Sequence, residues 1–414
     1  MHRGDRMPCP YVMNIKSANT FDVAIAGAGP AGASAAIHLT EAGARVLLIE
    51  EKKFPRHKLC GEFISPECLD HFRRLGVIDQ MTTVGGASVS RTVFYSARGS
   101  GVEVPSEWFK AGAQALGLSR SEMDHQLLNR ARRAGAVVLE DAHASRLLCE
   151  GEVVRGVSVK NGGANLGYKA LVTIDATGRT RSLARQLEPA RGGRSKNPLV
   201  AFKVHLHNAQ PANGACEIYF YRGGYGGLSA VEGGVSNLCF IVAANDVRRC
   251  HSNPDLVMRE VLMKNARAAE TLAAAKPCTP WLSVSLETFG RRRLTPAPGL
   301  LAIGDAASFI DPFTGSGMLM ALESGQLAAD AILKNLAALR EGRGLAALAN
   351  DYRAAYARKF DSRLRVAGLL RRAAFVPHLD AAAILLFRTS ARLRRRLARA
   401  TRQSRRTQAG VPEA

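Results

Sequence analysis

The sequence has no long apolar run. Its 414 residues are 47% hydrophobic, but nowhere do about 20 apolar residues follow one another, as a transmembrane helix requires. The apolar run at 381–387, for example, is bounded by Asp380 and Arg388. The sequence therefore predicts a protein that is soluble or lies on a surface, with enough apolar residues for a core in two or three packed domains.

Paired cysteines are also absent. The eight cysteines are spread without a C-x-x-C pair, which excludes a zinc knuckle and a disulfide framework and favours a reducing cytoplasm. The histidines show no metal-ligand spacing beyond what strand alternation explains. His205 and His207, for instance, share one face of a predicted strand without a third ligand. We therefore expect no metal site.

Acidic residues are scarce, since 35 Asp and Glu stand against 57 Lys and Arg, a net charge of +22. This imbalance indicates a nucleic acid or an anionic membrane as partner. Residues 352–406 hold 16 basic and two acidic residues, so +14 of the excess is C-terminal. The strings LRVAGLLRRAAFV and ARLRRRLARA lack interleaved aromatics for base stacking. They favour peripheral contact at the inner face of an anionic membrane, with a solvated helix packed on the body as the alternative.

The region from residue 21 to residue 50 predicts a βαβ unit. Gly27, Gly29 and Gly32 form a G-x-G-x-x-G turn between the strand FDVAIA and an alanine-rich helix. The first glycine permits a tight turn, the second lets a pyrophosphate approach the backbone, and the third allows close helix packing. Glu50 ends the next strand, RVLLI, where its carboxylate can accept hydrogen bonds from an adenosine ribose. The unit therefore predicts dinucleotide binding.

A second strand, loop and helix lie far along the chain and favour FAD over NAD as the dinucleotide. The strand LLAI delivers Gly304 and Asp305, whose carboxylate can bind ribityl hydroxyls. A glycine-rich loop and a long helix follow. The backbone amides between Pro312 and Met318, including those of Gly315 and Gly317, can face the anionic edge of a flavin.

Three strings and one acidic residue, spread over about residues 20–340, resemble one flavoprotein superfamily. They are GAGPAG, Glu50, FPRHKLCGE at 54–62 and GDAASFIDPFTGSG at 304–317. The superfamily includes p-hydroxybenzoate hydroxylase-type monooxygenases, flavin-dependent halogenases and geranylgeranyl reductases. KLCGE and GDAASFIDPFTGSG are most similar to the reductase branch, which saturates isoprenoid double bonds. The chain departs from that branch at Ser316, where an acidic residue is usual, and at 224–229, which lacks a Trp and a Pro.

The resemblance implies roles for individual residues. It places Lys58, Cys60 and Gly61 along the flavin, Arg120 near its pyrophosphate or ribityl chain, and Asp175 in a middle motif that touches FAD and NAD(P)H. It implies Glu62 or Tyr225 as a catalytic proton donor. Glu62 could serve if burial raises its pKa, or it could instead hold a backbone turn. For Cys60 we expect a packing thiol under the flavin rather than a redox nucleophile.

The expected fold is α/β, with a Rossmann-like FAD-binding domain, an inserted antiparallel β-sheet substrate domain and a C-terminal helical extension. The expected boundaries are a disordered leader at 1–19 (or a true start at Met7 or Met13), the FAD-binding domain at 20–195 and 291–345, the substrate domain at 196–290 and the basic extension at 346–414.

The expected function is that of an FAD-dependent oxidoreductase acting on a lipophilic small molecule. It is either a monooxygenase that uses NAD(P)H and O2 or a geranylgeranyl reductase-like double-bond reductase. The alternatives are a flavin-dependent halogenase, although the Trp-x-Trp-x-Ile signature of those enzymes is absent, and a non-catalytic nucleic-acid-binding or membrane-binding protein that retains the fold.

Overall fold

The computed structural model describes residues 20–188, 198–286, 289–374 and 389–400. The helices in these ranges are α1 (Pro30–Glu41), α2 (Pro66–Arg74), α3 (Ile78–Thr83), α4 (Arg120–Arg133), α5 (Ala244–Arg249), α6 (Pro254–Glu260), α7 (Ala266–Thr271), α8 (Gly317–Arg340), α9 (Leu345–Ala374) and α10 (Ala391–Ala400). The strands are β1 (Thr20–Ala26), β2 (Val46–Ile49), β3 (Phe63–Ile64), β4 (Ala87–Val89), β5 (Arg91–Tyr95), β6 (Gly101–Pro105), β7 (Ala115–Gly117), β8 (Val137–Leu139), β9 (Ala142–Glu150), β10 (Val153–Asn161), β11 (Ala164–Asp175), β12 (Leu199–His207), β13 (Ala215–Tyr221), β14 (Gly224–Ala230), β15 (Ser236–Ala243), β16 (Lys276–Pro277), β17 (Leu282–Leu286), β18 (Gly290–Arg291), β19 (Leu300–Ala302) and β20 (Ser308–Phe309).

The first large sheet has the order β8-β2-β1-β11-β10-β9, with β19 also paired to β11. Strands β8, β2, β1, β11 and β19 run parallel, and β9 and β10 join antiparallel. A parallel sheet needs apolar cover on both faces, and helices α1, α8 and α9 supply one cover. The carboxyl ends of β1, β2, β11 and β19 therefore meet at one edge, where ligands bind in such folds.

The second large sheet has the order β16-β12-β15-β14-β13-β5-β6, with β17 paired to β12. One face packs on α6 and α7 through side chains such as Phe202, Val204 and Leu206. Residues 91–105 belong to this sheet, because β5 pairs with β13. The domain boundaries predicted from the sequence, which placed these residues with the FAD-binding domain, are wrong here.

The first part of the predicted C-terminal extension, helix α9, belongs to the first core. Helix α9 buries Tyr352, Tyr356 and Phe360 in the same core as α1 and α8. The Tyr352 hydroxyl donates to the carbonyl of Ala302 on β19 at 2.7 Å. The predicted boundary at residue 345 is therefore wrong, because aromatic residues of α9 complete the first core. The predicted leader lies outside the described residues, and no helix within them combines the length and apolarity needed to cross a bilayer.

Helices α1 and α8 approach each other closely at Gly325. A Cβ atom built there would lie 2.4 Å from the carbonyl oxygen of Ala31. The Ser34 hydroxyl crosses the same interface and donates to the carbonyl of Leu322 at 3.0 Å. This contact fixes α8, and with it the loop that precedes its first turn, against the helix of the glycine-rich motif.

We expect Gly325→Ala to destabilise the protein by about 1–3 kcal/mol, because the new methyl group overpacks the α1–α8 contact. The matched control is Gly368→Ala on α9, where a Cβ would meet nothing within 4 Å. That change should be neutral or stabilising by up to about 1 kcal/mol, since alanine favours helix. Urea unfolding measures both, and equal effects would contradict the proposed close approach.

Candidate active site

The glycine-rich loop leaves room for a ligand on one side only. A Cβ at Gly27, whose φ is +103°, would lie 2.3 Å from the carbonyl of Ala176, and one at Gly32 would lie 1.9 Å from the carbonyl of Gly27. At Gly29 the nearest atom to a Cβ is Nη2 of Arg120, at 3.7 Å. The open side of the loop thus faces a guanidinium group and the N-terminus of α1, a combination suited to a pyrophosphate.

A charged network supports this loop. Glu50 accepts hydrogen bonds from the backbone amides of Ala28 at 2.9 Å and Lys52 at 3.2 Å. Arg56 lies 3.4 Å from Glu50 and donates to Asp124 at 2.8 Å. Arg120 donates to the same carboxylate through Nε at 2.8 Å and Nη2 at 2.7 Å. The sequence did not identify Arg56 as part of this site.

Asp305 lies at the carboxyl end of β19, as predicted, and faces a cavity. The cavity, about 210 Å³, is also lined by Arg179, Thr180, Arg185, Val284, Ser285, Arg292 and Phe309. Burial raises the pKa of Asp305, while Arg120, Arg179 and Lys58 oppose that rise. The carboxylate is thus enclosed by protein but open to a ligand on one side.

The turn before α8 also has the predicted form. Pro312 opens a 3-10 turn, Gly315 takes a left-handed φ of 58°, and Gly317 and Met318 begin the helix. Amides in a first helical turn have no intrahelical acceptor. Together with Gly29 and Asp305 they form a cradle whose donors and acceptors fit FAD.

Glu62 forms a buried cluster with residues of the second sheet. Its Oε1 accepts from the backbone amide of Arg120 at 2.8 Å and from the ammonium of Lys203. Its Oε2 lies 2.6 Å from Nε2 of His205. Lys203 also donates to the carbonyl of Lys58 at 3.2 Å. Because Lys203 and His205 are two residues apart on β12, both side chains point to this face.

The cluster holds Glu62 as an anion. Burial alone would raise the pKa of Glu62, but the hydrogen bond from His205 and the charge of Lys203 hold that pKa below its usual value. Glu62 was a candidate proton donor only if burial raised its pKa, and this condition is not met, because two donors stabilise its charge. A carboxylate only accepts, so Nε2 of His205 carries the proton that they share. His57 lies edge-on to His205, with 5.7 Å between ring centroids.

We call residues 58–62 the flavin-side segment, because the sequence resemblance predicts that they lie along the flavin. This segment is tied to the second sheet through its backbone. Asn237 of β15 donates to the carbonyl of Cys60 at 3.1 Å. The Oδ1 atom of Asn237 is buried without a hydrogen-bond partner in the described part of the chain. Gly61 is exposed, and a Cβ there would meet nothing within 4 Å. Part of the Lys58 side chain reaches solvent. Protein atoms around its ammonium and the nearby charges of Arg56 and Arg120 nevertheless lower the pKa of Lys58.

Tyr225 and Asp175 have protein partners. The Tyr225 hydroxyl donates to Asp311 at 2.5 Å, and burial, followed by the Asp311 charge, raises the pKa of Tyr225 well above its usual value. Asp175 accepts from the amides of Thr177 at 3.0 Å and Ala184 at 2.8 Å. Its carboxylate shapes that loop, and its contact with a cofactor stays a prediction.

Comparison with known proteins adds to this geometry. A family model described as an FAD binding domain matches residues 20–360. The chain belongs to this family. Digeranylgeranylglycerophospholipid reductase 2 of Methanopyrus kandleri is 30% identical over 325 residues, which cover 75% of this chain and 76% of the relative. The protein is an FAD-dependent oxidoreductase, and the predicted cofactor and superfamily are confirmed.

Two solved structures share the fold. The flavin-dependent brominase Bmp2 aligns with a TM-score of 0.75 and 20% identity, over 92% of this chain and 94% of that one. A geranylgeranyl bacteriochlorophyll reductase-like protein from Thermoplasma acidophilum aligns with a TM-score of 0.69 and 20% identity, over 93% and 92%. These likenesses confirm the predicted Rossmann-like fold with a second β-sheet region.

We expect Arg120→Gln to weaken FAD binding about 10- to 100-fold, because a charge-assisted contact beside Gly29 is lost. Arg133→Gln, an exposed change at the other end of α4, is the control and should bind as the unmodified protein does. Titration of the apoprotein with FAD, followed by flavin fluorescence, measures both. Equal affinities in the two variants would argue against Arg120 as a phosphate ligand.

We expect Glu62→Gln to lower the free energy of unfolding by about 3–5 kcal/mol at pH 7, because Lys203 keeps a buried charge without its partner. The control is Glu51→Gln, since that side chain is 62% exposed. A carboxyl whose pKa is lowered by folding stabilises the protein above its unfolded pKa, about 4.5. The difference should therefore shrink as the pH falls below that value in a series of urea titrations, and a pH-independent difference would contradict the assignment.

Proposed function

We propose that the protein reduces a carbon–carbon double bond of a lipophilic small molecule, with NAD(P)H as electron donor. The observation that carries this proposal is the buried cluster of Glu62, Lys203 and His205, which holds a proton beside the flavin-side segment. The reductase name of the Methanopyrus kandleri relative supports the same reaction class.

The second sheet offers an apolar wall next to this cluster. Along β12, Leu199 and Ala201 precede Lys203 and His205 on the same face. We call Leu199 and Ala201 the apolar half of this face, and Lys203 and His205 its charged half. The apolar half packs with further aromatic and aliphatic side chains, several of them only partly buried, namely Leu59, Phe220, Tyr225, Ile241, Val284, Leu286, Phe289, Phe309 and Phe313. Val284 and Phe309 also line the cavity beside Asp305. A lipophilic substrate would bury its chain against this half, with its double bond towards the charged half.

The reaction requires one hydride and one proton. When bound and reduced, FAD supplies the hydride that adds to one alkene carbon. When both ring nitrogens of His205 carry a proton, Glu62 holds the one at Nε2 and the one at Nδ1 goes to the other carbon, so the product gains two hydrogens. Glu62 orients the ring and offsets the charge of Lys203. The amide of His205 donates to the Thr279 hydroxyl at 3.0 Å, which fixes the strand behind the ring. His57, which is exposed, connects the buried imidazole with solvent.

The proposal extends to the location of the enzyme. A lipophilic substrate is most concentrated in a membrane, and the basic C-terminal residues are attracted to anionic lipid. We therefore place the protein on the cytoplasmic side, in peripheral contact with the inner face of the membrane.

Anaerobic turnover tests the reaction class. Prenylated lipids are incubated with the enzyme and NADPH without oxygen, and the product mass is measured. A gain of two hydrogens that does not need oxygen is expected. Oxygen uptake with a product that gains one oxygen atom would instead support the monooxygenase alternative.

The role of His205 is tested with His205→Gln, which keeps an N–H donor towards Glu62 but releases no proton at neutral pH. We expect kcat to fall about 10²- to 10⁴-fold with FAD content unchanged. His207→Gln, at the exposed end of the same strand, is the matched control and should keep its kcat. A His205→Gln variant with the kcat of the unmodified protein would exclude His205 as the proton source.

A further inference from the structure

Helix α10 lies on the outer edge of the second sheet, although it is the last described element of the chain. It contacts β6, the edge strand, and the 3-10 turn Ser106–Trp108. The guanidinium of Arg394 lies 5.7 Å from the centroid of the Trp108 ring. Beside this contact is a cavity of about 350 Å³, which Arg394 and Trp108 line together with Val102 and Glu103. The basic helix is therefore placed by contacts with the body of the protein.

The helix turns a cationic face to solvent. Arg392, Arg395 and Arg396 are exposed, and residues at positions i, i+3 and i+4 share one face of a helix. Arg394, two positions after Arg392, lies on the opposite side, where it meets Trp108. Three guanidinium groups thus point away from the protein from one side of α10.

Aromatic side chains lie where α10 meets the body of the protein. Trp108 and Phe109 are half-buried and are followed by Lys110. Indole rings with one apolar and one polar edge are typical of the interface between lipid tails and head groups. We call the surface formed by Trp108–Lys110 and the three exposed arginines of α10 the basic edge.

We propose that the basic edge docks on the surface of an anionic lipid bilayer. Charge complementarity selects the partner, because several arginines on one helix face match a layer of anionic head groups. Trp108, half-buried under α10, lies close enough to this surface to sense a bound lipid layer. The purpose of docking rests on the proposed function, because docking would bring the second sheet and its apolar wall close to the source of a lipophilic substrate. The docking itself is tested by binding alone.

Vesicle binding by the full-length protein with FAD tests the basic edge. Phosphatidylcholine vesicles, with or without phosphatidylglycerol, are sedimented with the protein. The variant is R392E/R395E/R396E, and its matched control is R248E/R249E/R259E, which changes the same charge at exposed positions of α5 and α6. We expect binding only with phosphatidylglycerol, weakened on the order of 10²-fold in the first variant and little changed in the control.

Trp108 reports directly whether the edge touches lipid. The chain has two tryptophans, and the other, Trp281, packs edge-on against Phe202 and Phe240 in the core of the second sheet. W281F therefore leaves Trp108 as the single emitter. With phosphatidylglycerol vesicles its emission should shift to shorter wavelength and become less accessible to acrylamide. With phosphatidylcholine alone it should not change.

Three results would overturn the proposal: equal binding of the two charge variants, unchanged Trp108 emission in vesicle-bound protein, or binding of an RNA duplex through these arginines without binding of vesicles. Reductase activity separates this inference from the proposed function. With a detergent-dispersed substrate, R392E/R395E/R396E should turn over as the unmodified protein does, so a failure of docking and a failure of catalysis are read independently.

Discussion

Three groups from two other parts of the chain converge on one carboxylate, that of Glu62. It accepts from the first amide of α4 and meets an ammonium and an imidazole on β12. Removing a carboxylate and an ammonium from water is expensive, and here every charge has a partner within the cluster. Glu62 also takes a left-handed φ of 55°, a conformation that surrounding structure must enforce. The relative position of the two sheets is thus determined in part by ionic contacts, in addition to apolar packing.

Arg120 lies between the Glu62 cluster and the predicted cofactor site. Its backbone amide binds Glu62, while its side chain lies against Gly29 and is held by Asp124. One residue at the N-terminus of α4 therefore contacts both the Glu62 cluster, through its backbone, and the glycine-rich loop, through its side chain.

The cofactor-binding half was largely predictable from sequence, because its determinants are local. The spacing of Gly27, Gly29 and Gly32 and the acid at the end of the second strand all lie within one βαβ unit. Lys203 and His205 were not predictable as functional residues, since nothing local shows that a lysine in LVAFKVHL is buried. For Glu62 the position was predicted and the charge state was not, because its pKa depends on partners that only the fold brings close. The pairing of β5 with β13 was missed for the same reason.

Strand β19 has a consequence for the order in which the protein matures. It pairs beside β11 and carries Asp305 to the ligand edge of the sheet, yet in the chain it follows every strand of the second sheet. Until it is made, the growing chain lacks Asp305 and the amides of α8, which the sequence predicts to bind the flavin. Pairing of such distant parallel strands is slow compared with local folding. A chain that stalls before β19 would therefore leave residues 173–175 of β11, the partners of β19, as an unprotected strand edge.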